Sequence, residues 1–149
     1  MTCVLHFLGD EADVDELRRL SPIEPCALFR KGQPSSNRPN ARLSQTSGLS
    51  LIVSEASFDE IEQQQGEALS FLRANQAKLE AMRMVSGVEV ASIDFGIAMR
   101  NVVVQSDWFE PDLLLAIASL QARLVLSQYP PAGRAKRIKQ YRRALRRAA

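Results

Sequence analysis

The sequence predicts an α+β domain: a mainly antiparallel sheet of about five or six strands, one long helix packed across a face, two shorter helices, and a basic C-terminal helix. Three observations lead there. Short apolar segments rich in β-formers recur between turn residues at 2–8, 26–30, 48–54, 88–99, 102–106 and 122–129. After Ser57, apolar residues recur instead at steps of three and four as far as Met82. Eight basic residues and no acid fall within 134–149, where Ile138, Tyr141, Leu145 and Ala148 keep the same helical spacing.

Thr2 to Leu8 reads as a buried first strand. Asp13 with Glu16 resembles a capping pair, and Val14, Leu17 and Leu20 follow at helical spacing. That helix stops before Ser21-Pro22, because the residue preceding a proline is pushed out of helical dihedrals. Cys26 to Arg30 reads as a second short strand, followed by a polar loop over 32–47 that is long for an internal connection. Leu49, Leu51 and Val53 alternate as in a half-buried strand.

Ser57-Phe58-Asp59-Glu60 has the pattern of a capping box, so the long helix is expected to begin there. Its stripe is Phe58, Ile61, Ala68, Leu72, Leu79 and Met82, interrupted by Gln65 and Asn75, and Gly87 is a left-handed terminator. The segments 88–99 and 102–106 read as a hairpin around Arg100-Asn101. A change of phase between Val90 and Ile93 predicts a bulge near Ala91-Ser92. Pro111 suits the first turn of another helix with Leu113, Leu114, Ile117 and Leu120 as its apolar side. Ala122 to Tyr129 is the last strand, and Pro130-Pro131 ends the globule.

At 149 residues the chain suits a single domain over 1–133 followed by the basic segment 134–149. Apolar and charged fractions of 46% and 24% are those of globular proteins and exclude wholesale disorder. No apolar run has the length of a membrane span, and residues 1–8 lack the features of a secretory signal. Two cysteines make neither a disulfide framework nor a zinc motif. A reduced, cytoplasmic protein is the expectation. The formal net charge of +2 conceals an uneven split, −6 over 1–133 against +8 over 134–149.

The order strand, short helix, Glu24-Pro25, Phe29-Arg30-Lys31-Gly32-Gln33-Pro34, capped helix, hairpin, helix and strand resembles the bacterial domain of unknown function numbered 4279. Asp13-Val14-Asp15-Glu16-Leu17 after the first strand belongs to the same resemblance, which spans about residues 2–129. It implies an α+β fold and brings no activity or catalytic residues.

No catalytic, metal or cofactor site is expected. His6 is the only histidine and sits inside the first strand, where packing accounts for it. Cys3 and Cys26 on adjacent strands could form a redox pair, but small buried hydrophobes are the favoured reading. Asp94 lacks a partner that would make it an acid catalyst.

The binding candidates fall into two groups. Trp108 and Phe109, with Glu110 and Asp112 as rim charges, suit a protein partner. Arg30, Lys31, Arg38, Arg42, Arg134, Lys136, Arg137, Lys139, Arg142, Arg143, Arg146 and Arg147 suit an anion or nucleic acid. The first expectation is a non-catalytic interaction module, most concretely a bacterial immunity protein that neutralises a toxin. The alternatives are a nucleic-acid-binding protein using the basic tail, and an enzyme or small-ligand binder. Self-association is compatible with the sequence.

Overall fold

The computed structural model of the protein describes residues 2–35 and 40–130. Arg38 and the expected basic helix at 134–149 lie outside the described residues. Five strands and four helices follow in the order β1 (Cys3–Gly9), α1 (Val14–Leu20), β2 (Ala27–Phe29), β3 (Ser47–Ser54), α2 (Ile61–Ala74), α3 (Gln76–Arg83), β4 (Val90–Ala98), α4 (Pro111–Ser119) and β5 (Arg123–Tyr129). The fold is α+β, and its mixed sheet has the spatial order β2-β3-β1-β4-β5. Pairing is antiparallel except between β4 and β5, which run parallel.

Strand alternation decides where the core lies. Cys3, Leu5 and Phe7 of β1 are fully buried, as are Leu49 and Leu51 of β3 and Ile93 and Phe95 of β4. They face Leu17, Leu72, Leu79, Met82, Leu113 and Ile117 from the helices, giving one apolar layer between sheet and helices.

Local chemistry sets several ends as expected. The Asp13 carboxylate accepts from the amides of Asp15 and Glu16 at 3.1 and 3.0 Å and so caps α1. Gly87 has the expected left-handed φ, +77°, and a Cβ there would stand 2.2 Å from the Glu11 carbonyl oxygen, but it does not terminate the helix, which ends at Arg83 with Met84 as its C-cap.

Three expectations are corrected. The long helix is divided into α2 and α3 at Asn75, whose φ of −117° departs from the helix. Both its backbone and side-chain nitrogens donate to the Phe71 carbonyl, at 3.1 and 2.9 Å, and a side chain inserted into the ladder breaks the run. The start also moves to Ile61. Glu60 does reach back to the Ser57 amide at 2.8 Å, but the Ser57 hydroxyl donates to Asp59 instead of capping, so 57–60 is a turn.

The second strand of the expected hairpin is not a strand. Val102, Val103 and Val104 are exposed in a bend, Val103 entirely so, and the neighbour of β4 is β5. β-Branched composition alone does not distinguish a paired strand from a loop. Nor is there a bulge at Ala91-Ser92. β1 pairs with β4 in continuous register from Leu8↔Val90 to Cys3↔Phe95, because Val88 lies before the strand and never shares its phase.

Candidate functional site

Between β4 and α4, residues 105–110 form an irregular segment whose side chains alternate in exposure. Gln105, Asp107 and Phe109 turn inward, while Ser106, Trp108 and Glu110 turn out. Phe109 meets Phe95 edge to face with ring centroids 5.1 Å apart, which anchors the segment to the core. Trp108 is left 63% exposed.

A buried glutamine fixes this segment. Gln65 of α2 donates from Nε2 to the Trp108 carbonyl at 2.9 Å and accepts at Oε1 from the Glu110 amide at 3.0 Å. Arg100 holds the other side, donating to the Ser106 carbonyl at 3.0 Å and pairing with Asp107. Gln64, also buried, donates to the Ser57 and Gly96 carbonyls at 2.9 Å each and ties down the turn before α2. Two adjacent buried glutamines, one of which interrupts the apolar stripe, therefore secure the segments beside the ring. Nothing local in the sequence signals this, because the bonded carbonyl of Trp108 lies 43 positions from Gln65.

Trp108 stands between two open hollows of about 440 and 460 Å³. The first is lined by Asp59, Glu60, Ile61, Glu62, Arg100 and Asp107 among others, the second by Leu69, Glu110 and Leu113 with Glu62 shared. From Glu55 to Leu72 the sequence carries Glu55, Asp59, Glu60, Glu62 and Glu67 and no Lys or Arg. The ring thus rises from an acidic ledge. Asp112, on the far side of α4's first turn, accepts from Arg73 at 2.7 Å across a separate groove of about 210 Å³ between α2–α3 and α4. Of the four protein-contact candidates, Trp108 and Glu110 share the ledge, Phe109 faces the core, and Asp112 serves the groove.

The basic candidates are dispersed. Arg30 pairs with Asp15 and Lys31 with Asp10, both at 2.6 Å, and Arg42 is exposed in the loop before β3. The acids of the α1 region neutralise the turn that would have cradled a phosphate.

The sheet face away from the helices carries a second polar group. His6 and Ser50, neighbours across β1 and β3, share a hydrogen bond of 2.7 Å at His6 Nδ1. Asp94 accepts from the Ser127 hydroxyl at 2.8 Å, and Ser92 lies opposite His6. Burial lowers the His6 pKa, with the Asp94 charge opposing it. Asp94 Oδ2 accepts from Ser127 while its buried Oδ1 has no partner, and among the described residues no hydrogen bond joins Asp94 to His6, so a Ser-His-Asp relay is not assembled. The expected adjacency of Cys3 and Cys26 is corrected: β3 lies between β1 and β2, and Cys26 just precedes β2. Burial raises both thiol pKa values. Among the described residues no group of three or more His, Cys, Asp or Glu could hold a metal ion, and no helix is long and apolar enough to cross a membrane.

Compared with models of protein families, with curated proteins and with solved structures, the chain finds no match in any of the three.

Proposed function

We propose that this chain is a non-catalytic interaction module that engages a basic protein surface at the Trp108 ledge, most concretely as a bacterial immunity protein that neutralises a toxin. The observation that carries the reading is Trp108: a large aromatic, 63% exposed, held by its own backbone and set among acids. A fixed, amphipathic ring buries large area on contact and loses little entropy, which is why tryptophan dominates binding hot spots. The acids around it speed encounter with a cationic partner and disfavour anionic ones.

The nucleic-acid alternative rests on the tail, since Arg30 and Lys31 are engaged by Asp15 and Asp10. The test uses the partner that copurifies from the native cell. Trp108→Ala should weaken its binding by at least ~2 kcal/mol, about 30-fold, and leave the urea midpoint unchanged. Undiminished binding by that variant, or a partner that proves to be a nucleic acid, overturns the reading.

A further inference from the structure

We propose that the basic C-terminal segment of this chain, Arg134 to Arg147, docks on the Trp108 ledge of the same molecule. The inference rests on the reading of that ledge as a docking surface for cationic protein, and it names the first occupant.

The point where the described chain ends supports it. The Tyr129 ring packs on Phe58 with centroids 4.7 Å apart, and the Tyr129 carbonyl accepts from the Met99 amide at 2.8 Å. Phe58 opens a small hollow whose lining includes Asp59, Ile61, Arg100 and Asp107. Those same four residues line the hollow beside Trp108. The chain therefore leaves β5 at the margin of the ledge. Pro130 to Gly133 span roughly 13 Å when extended, enough to carry the first cation, Arg134, onto it.

Charge and apolar character match. Asp59, Glu60, Glu62 and Glu110 are exposed, and none is in an ion pair among the described residues. Arg100, which lines the first of the two Trp108 hollows, is held by Asp107. The tail supplies eight bases without an acid, and Ile138, Tyr141 and Leu145 recur every three or four residues, giving one apolar side for Trp108 and Leu69. A tethered occupant acts at an effective concentration of order millimolar, so it holds the ledge without a high intrinsic affinity. A basic partner must displace it, and the tail thereby sets a threshold on which cationic surfaces bind.

Trp108 is the sole tryptophan, so its emission reads the ledge directly. The full chain is compared with a charge-reversed tail, Arg142→Glu/Arg143→Glu/Arg146→Glu/Arg147→Glu, at low salt and at about 1 M salt, where the Debye length falls to ~3 Å. The native chain at low salt should emit at shorter wavelength and resist acrylamide quenching. High salt or charge reversal should shift emission to the red and increase quenching. Carbodiimide should link Lys136 or Lys139 to Asp59, Glu60, Glu62 or Glu110 within a monomer. Identical emission and quenching in both chains, with no such link, overturns the proposal. Links found only in dimers, or a signal lost on dilution, overturn it in favour of a second copy's tail. The two readings fail separately: an unresponsive Trp108 whose Ala variant still loses the copurified partner removes only the tail's docking, and a docked tail with no partner lost removes only the proposed function.

Discussion

Gly96 of β4 lies directly beneath the ring of Phe58, so close that a Cβ there would stand 2.8 Å from the ring edge. The same backbone also donates its amide to the Thr2 carbonyl at 2.6 Å and accepts Gln64 on its own carbonyl. It is pinned on both sides. Gly96→Ala should cost ~1–3 kcal/mol by overpacking, read as a fall in the urea midpoint. Phe58→Leu in that background should recover part of the loss, and an unchanged midpoint in the single variant would mean the ring yields freely.

Gln65→Leu tests the brace behind Trp108. The change removes both bonds and leaves the Trp108 carbonyl and the Glu110 amide to find water in a half-buried seam. A loss of about 1–3 kcal/mol is expected, since unmade bonds to buried groups cost their desolvation. Hydrogen exchange supplies the local measurement: the Glu110 amide should be protected in the native chain and exchange much faster in the variant.

The His6 environment fixes a sign for pH dependence. Its ordinary value is 6.5, and burial lowers it in the folded chain. The unfolded chain therefore takes up the proton first as pH falls. Its contribution is fully present above about pH 6.5 and is lost as pH drops towards the folded value. The urea midpoint of the native chain should decline between about pH 7.5 and about pH 5.5, a window above most carboxylate titration. His6→Gln should flatten that decline.

The two thiols should behave differently in spite of their shared direction of shift. Cys3 is fully buried on β1, with its pKa raised by burial and further by the charges of Asp94 and Glu67, whereas Cys26 is exposed. A thiol reagent at mildly alkaline pH should modify Cys26 in the native protein and reach Cys3 only after unfolding. Simultaneous modification of both would contradict the buried placement of β1.

Where the determinant is local, the sequence is readable. Asp13 announces α1 because its cap acts within three residues, and Pro111 marks the start of α4 because its ring suits only a first turn. Alternation at Leu49, Leu51 and Val53 marks β3 because those three are buried in the core, although Ser50 and Ser54 on the other face are buried as well. One error arises where the decisive partner is remote, another where a local polar bond overrides an apolar pattern. Val102 to Val104 have the composition of a strand, but whether they pair depends on what β4 has beside it, and β5 takes that place. Asn75 divides the helix through a bond its side chain makes one turn back, which apolar periodicity does not register. At the candidate site Trp108 was legible as a bulky aromatic at a junction. Its neighbour Phe109 is not separable from it by sequence; only the structure shows one ring turned out and the other packed on Phe95. Gln65, the residue that fixes both, looked like a flaw in a stripe.

The parallel pairing of β4 and β5 imposes an order of events in time. Parallel neighbours cannot be joined by a tight turn, so the stretch from Met99 to Ala122 has to be gathered and α4 laid down before β5 finds its register. β5 also sits outermost in the sheet, with Val125 and Leu126 still partly bare, so little core depends on its arrival. Substitutions in such a strand should quicken unfolding while leaving the folding rate nearly untouched, which the two arms of a denaturant chevron would check. Because Tyr129 at its end completes the contact with Phe58, loosening β5 should loosen the margin of the Trp108 ledge with it.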